Sequence, residues 1–149
     1  MADSDIPQTE ADALLAAAKK RIDDTEYEYP MLGGSVSIPL RSLDDREHFS
    51  LDIGRGRIAL SKVTYQNRAR QTIILARLDL GGPPHRNPNS EEVGCPHLHV
   101  YREGYGDKWA YPIEPGKFEH IDDLWQTLQD FMLYCNIITP PILERGLFI

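Results

Sequence analysis

The sequence predicts an α+β domain: an antiparallel sheet of five or six strands, meander plus hairpin, with an N-terminal helix and a C-terminal helix packed on one face. Three observations carry that expectation. Apolar side chains alternate with polar ones from His48 to Leu80, the period of half-buried strands. A second alternating run, His97 to Val100, leads through Gly104 and Gly106 to Trp109 and reads as a hairpin. Ile121, Leu124, Trp125, Leu128, Phe131, Met132 and Cys135 recur at helical spacing over about 121–136.

The elements follow in order. Residues 1–8 read as a mobile leader. Thr9 is a capping residue for a helix over about 9–22, with Glu10 and Asp12 in its first turn and Lys19, Lys20 and Arg21 in its last, as the helix dipole favours. Residues 23–34, with Asp23, Asp24, Glu26 and Glu28, form an acidic linker, and residues 35–40 form an edge strand closed by Pro39. The meander has strands at 48–53, 58–65 and 72–80. A bulge is expected near Ser61-Lys62, where the apolar phase changes, and a polar turn at 66–70. Residues 81–90, with three prolines and two glycines, form a loop. Trp109 is expected in the core or against the C-terminal helix, which Pro140-Pro141 terminates.

A chain of 149 residues suits a single domain, 1–149. No apolar run approaches the ~18 residues of a membrane span, so no membrane partner is expected. The acidic start, Met-Ala-Asp-Ser-Asp, is unlike a signal peptide, and a cytoplasmic location is expected. In that compartment Cys95 and Cys135 are not expected to form a disulfide, and no CxxC or Cys/His quartet marks a structural zinc site.

The net charge of −7 is uneven. Residues 1–45 carry four Lys/Arg and ten Asp/Glu, residues 46–90 eight and three, and residues 91–149 four and ten. An acidic protein is a poor general binder of nucleic acid, whose phosphates dominate affinity. The basic middle segment still allows a local RNA contact, or simply decorates the solvent face of the sheet.

Chemistry concentrates around His97 and His99. At i, i+2 on a strand they share one face, about 7 Å apart, with Leu98 and Val100 on the other. Three readings stay open: half-buried residues bonded to neighbours, an acid–base pair for phosphodiester cleavage, or two metal ligands with His85 or Asp107 as a third. The acid–base assignment of His97 and His99 is the catalytic candidate, and no metal or cofactor is assigned. Tyr101 shares the histidine face; Arg102 and Lys108 flank the turn within reach of a phosphate or acidic partner; Tyr105 lies in it, and His85 follows two prolines in a loop. These five are the binding candidates. Cys95 beside His97 lacks the further groups a nucleophile needs. No GxxxxGK[ST], GxGxxG after a strand, HExxH or GxSxG occurs, which sets aside nucleotide-driven and α/β-hydrolase chemistry.

Residues 75–89, the run Cys95-Pro-His-Leu-His-Val-Tyr-Arg-Glu-Gly-Tyr-Gly-Asp-Lys-Trp-Ala-Tyr-Pro112, then Asp123-Leu-Trp-Gln-Thr-Leu128 and residues 131–136 resemble an uncharacterised domain-of-unknown-function family. Its members are small bacterial and phage proteins of accessory or mobile DNA, and the likeness spans roughly residues 45–149. It implies a setting of phage–host conflict, toxin–antitoxin loci or mobile elements, without an activity. The layout of His97 or His99, Gly104-Tyr-Gly106, Pro112 and the last helix is also similar to HicA-type RNA-cleaving toxins, although this chain is longer and acidic. Two functional expectations result. One is a non-catalytic binding protein that inhibits a nucleic-acid-handling machine, anti-CRISPR-like, its acidic surfaces engaging a basic protein or nucleoprotein. The alternative is a metal-independent ribonuclease with His97 and His99 as acid and base and Lys108 or Arg102 on phosphate.

Overall fold

A computed structural model describes residues 5–146. In order these form α1 (Gln8–Ala16), β1 (Lys19–Arg21), β2 (Glu26–Glu28), β3 (Ser35–Ser42), β4 (His48–Arg55), β5 (Val63–Ala69), β6 (Ile73–Leu80), β7 (His85–Arg86), β8 (Glu92–Val93), β9 (His97–Val100), β10 (Ala110–Pro112), α2 (Leu124–Tyr134), β11 (Ile137–Thr139) and β12 (Ile142–Glu144). The main sheet has eight strands, ordered β10-β9-β6-β5-β4-β3-β1-β11, rather than five or six. It is antiparallel except where β1 runs parallel to β11. The extra strands are the three-residue pieces β1 and β11 at one side of the sheet, which pair with each other from far apart in sequence. β2 is one of two strands in the β2–β12 ribbon, so the segment expected as a plain acidic linker contains a paired strand. None of the described helices is long and apolar enough to cross a membrane.

The sheet is two-faced. Ile38 and Leu40 of β3, Phe49, Leu51 and Ile53 of β4, Val63, Tyr65 and Ala69 of β5, and Leu78 and Leu80 of β6 turn inward and are buried. Ala11 and Leu14 of α1 and Leu128, Phe131 and Met132 of α2 complete the same core. Each fully buried Leu, Ile or Phe contributes about 1.5–3 kcal/mol, so the helices are held mainly by this face. The opposite face carries a polar row, one residue per strand: Ser37, Asp52, Gln66, Arg77 and His99 are successive cross-strand partners. Asp52 accepts from Ser37 (2.6 Å), Gln66 (2.8 Å) and Arg68 Nε (2.6 Å).

Several boundaries differ from expectation. Ile58 and Leu60 are 92% and 64% exposed in a loop, and β5 begins only at Val63. It runs on through the expected turn to Ala69, because Asn67 turns into the core and donates to the Ser50 carbonyl (3.0 Å). The irregular register lies opposite Asn67/Arg68 in the β5–β6 pair, not near Ser61. Helix α1 starts after Pro7 and stops at Ala16, since residues 19–21 pair with β3 and β11 instead. Of the leader, residues 1–4 lie outside the described residues, while Ile6 exchanges backbone hydrogen bonds with the Tyr101 hydroxyl, both 2.8 Å. Gly81 (φ 66°) could not be otherwise: a Cβ there would lie 2.4 Å from the Ser61 carbonyl oxygen.

Lys19 is wholly buried. Its ammonium donates to the carbonyls of Leu15 (2.8 Å) and Ala17 (2.9 Å) at the end of α1, and of Cys135 (2.7 Å) at the end of α2. One cation thus caps both helix C-termini, where the dipole is negative. Burial lowers its pKa to about 8, against a small opposing effect of Cys135.

Two predictions follow from these charges. Lys19→Met leaves three carbonyls without their donor and lowers unfolding free energy by about 2–4 kcal/mol in urea titrations. Burial alone would raise the Asp52 carboxyl, but hydrogen bonds from Arg68, Ser37 and Gln66 hold it below the ordinary value. Its contribution is therefore complete above its unfolded pKa of about 3.9 and lost as pH falls further. Asp52→Asn is expected to flatten the acid limb of stability below about pH 4; an unchanged slope would refute this.

Candidate functional site

The β6–β9 register sets Arg77 opposite His99 and Asp79 opposite His97, all on the polar face. His97 and His99 do emerge side by side, as their spacing requires. They do not reach open solvent: their exposures are 2% and 0%. The cover is the segment 81–94, of which 81–90 were expected as a plain loop; it makes the small β7–β8 ribbon. Its Asn87 reads the edge of β10 like a strand, donating to the Ala110 carbonyl (3.0 Å) and accepting from the Ala110 amide (2.8 Å). His85, from the same segment, brings its ring centroid within 4.6 Å of His99 and 5.8 Å of His97.

The two rings are held alike. His99 Nδ1 lies 2.7 Å from the Asp107 carbonyl oxygen, and His97 Nδ1 lies 3.2 Å from that of Gly94. A carbonyl only accepts, so both Nδ1 atoms carry a proton. Both Nε2 atoms then face Asp79 Oδ2, each at 3.1 Å. The other Asp79 oxygen accepts from Thr64 Oγ1 (3.0 Å) and pairs with Arg77 Nε (3.4 Å). Burial alone would raise the Asp79 carboxyl; the His99 hydrogen bond and the charge of Arg77 bring it down to about 2. Arg77 also pairs with Asp107 (2.7 Å) and reaches His99 Nε2 through Nη2 (3.1 Å). Beside this centre lies a surface hollow of about 460 Å³, lined by Lys62, Thr64, Gln66, Arg77, Asp79 and His97 among others. Among the described residues, Asp79, His97 and His99 are the group that could hold a metal ion, their ligand atoms all within 4.8 Å of one another.

The remaining sequence candidates disperse. Tyr101 leaves the histidine face, because β9 ends at Val100, and its ring joins the core under residues 5–6. Arg102 stacks on Trp109, 4.2 Å from the ring centroid, and Tyr105 meets the same indole edge-on. Trp109 is thus packed within its own hairpin rather than against α2. Lys108 is exposed, and its carbonyl receives His85 Nε2 (2.7 Å). The Asp107 carboxylate meets Arg77 instead of joining the imidazoles. The Cys95 thiol donates to the Asp79 carbonyl (3.2 Å) and accepts from the Gly82 amide (3.3 Å), fastening the cover to β6. Asp79 and Arg77 were absent from the candidates; the available signal was two charged residues sharing the polar phase of an otherwise apolar strand.

Asn87→Ala removes both links between the cover and β10. Amide exchange over 81–94 and at Ala110 is expected to accelerate, with a stability loss of about 1–2 kcal/mol.

No curated protein and no solved structure matches the chain. A family model does, over residues 6–137, which span both helices and the whole centre just described and stop at the first residue of β11. The chain therefore belongs to a family of unknown function, DUF6978.

Proposed function

We propose that this chain is a non-catalytic binding protein that docks one end of its sheet onto the basic surface of a protein or nucleoprotein partner. The observation that carries the reading is a set of exposed apolar side chains on two loops that meet. The loops 30–34 and 56–62 meet through hydrogen bonds from Gly33 N to Gly56 O and from Arg55 N to Gly34 O, both 3.0 Å. They present Met31 (82% exposed), Ile58 (92%) and Leu60 (64%). Leu60 shares a surface hollow at the entrance to α2 with Ile121, two carboxylates, Asp122 and Asp123, and one cation, Arg145. A group of solvent-facing apolar side chains with carboxylates at its rim suits a partner that pairs apolar contact with cationic residues.

Charge placement supports the same partner. On the β2–β12 ribbon, next to Pro30, Glu28 lies directly opposite Glu144. Like charges in register are unfavourable by themselves and are relieved by a basic neighbour. Part of the basic middle segment, in contrast, is turned to internal use: Arg68 pairs with Asp52, Arg70 with Glu10 and Glu47, and Arg77 with Asp79 and Asp107, while Arg57 and Lys62 belong to the 56–62 loop itself. That favours a protein contact over RNA held by this segment. Ribonuclease chemistry asks for two imidazoles that a phosphodiester can reach, and the burial of His97 and His99 weighs against it.

The double variant Ile58→Asp, Leu60→Asp tests the reading. Both side chains are exposed, so thermal stability is expected to stay within about 0.5 kcal/mol of wild type. Affinity purification with quantitative mass spectrometry should show a specific partner enriched by the wild type and lost with the variant. Recovery of the same proteins by both forms would sink the proposal.

A further inference from the structure

We propose that His97 Nε2, His99 Nε2 and Asp79 Oδ2 form a binding site for a divalent first-row transition metal ion of the zinc type. The inference is independent of the docking surface. It begins with what the three atoms are. Each Nδ1 donates to a carbonyl oxygen, so in the neutral rings each Nε2 presents a lone pair. Both lone pairs point at one oxygen of a carboxylate that is ionised. With no ion bound, a proton on Nε2 or the Arg77 Nη2 donor is what reconciles these atoms, and a cation between them takes that place.

The geometry suits an ion. Bonds of about 2.0–2.1 Å place neighbouring ligands roughly 2.9–3.4 Å apart around tetrahedral to octahedral centres. Both Nε2–Oδ2 separations are 3.1 Å. The full set spans up to 4.8 Å, so the ion draws the two rings inward. The surrounding bonds are those that metal-bound histidines and carboxylates use. Ring N–H groups on backbone carbonyls fix tautomer and orientation, and the second carboxylate oxygen is held by Thr64 and Arg77. Two imidazoles and one carboxylate are borderline ligands, which select zinc, cobalt or nickel over calcium or magnesium.

Arg77 shows what the ion displaces. Its Nη2 donates to His99 Nε2 at 3.1 Å, while Nη1 and Nε already pair with Asp107 and Asp79. Binding releases Nη2 and leaves the guanidinium on those two carboxylates. Access is through the hollow beside Thr64 and Gln66, and His85 is the imidazole nearest the open side of the coordination sphere. Its Nε2 is on the Lys108 carbonyl, so Nδ1 keeps its lone pair.

The test uses the full chain, freed of metal by a chelator and titrated with Zn²⁺ against a chromophoric competitor. About one ion per chain should bind at submicromolar concentration, and Co²⁺ should give the visible bands of a four- or five-coordinate nitrogen–oxygen site. In ¹⁵N spectra of the imidazoles, zinc should move the Nε2 resonances of His97 and His99 far more than their Nδ1 resonances. Asp79→Asn and His97→Gln should lose the ion, and the spectra of the wild type decide the matter even where a variant fails to fold. Absence of stoichiometric binding, or binding that leaves the resonances of His97 and His99 in place, would overturn the assignment. The Ile58→Asp, Leu60→Asp variant should bind zinc as the wild type does, which separates this site from the docking surface.

Discussion

A sheet covered by helices on one face only imposes the constraint from which the rest of this molecule is built. Every second residue of β3, β4, β5 and β6 must enter the core, and the intervening ones must make their peace with water or with each other. Ser37, Asp52, Gln66, Arg77 and His99 line up across five strands because antiparallel pairing places them opposite one another. Charges confined to such a row compensate one another across strands rather than along the chain. The buried imidazoles are the end of that row, where the sheet acquires a lid of its own.

The lid changes the chemistry of what it covers. An Asp, two His and an Arg in open solvent would be an ordinary polar patch. Under residues 81–94 the two imidazoles lose water as an alternative partner, and each of their contacts must be satisfied within the protein. The segment is tied down at Asn87, at His85 and by the Cys95 thiol, from both sides of the centre. Among the described residues the loop end at Ile58 and Leu60 has no comparable cover, and the two regions differ in kind: one is a covered polar cluster beside a hollow, the other an open apolar surface.

The meander, the hairpin and α2 were legible because their periodicities run for several residues. The pairing of β1 with β11 and of β2 with β12 was not, since three-residue strands carry no readable period and their partners lie more than a hundred residues away. Asn67 hid the end of β5 by placing an amide in an apolar phase. For the site, the spacing of His97 and His99 fixed their shared face but not their depth, which depends on a Gly/Pro-rich segment whose composition says only that it is irregular. Asp79 could be assigned to the polar face of its strand, yet its meeting with both rings needed the register of β6 against β9, formed across the whole of that segment. Tyr101 was misplaced because the strand stops one residue before it.

Lys19 combines an amine inclined to lose its proton near pH 8 with complete exclusion from solvent. Electrophilic labels react with amines, but to react with this one they must touch it. They can do so only when the ends of α1 and α2 part. The pace at which Lys19 acquires a label, set beside that of exposed lysines such as Lys108, is therefore a clock for the breathing of the helical layer away from its sheet.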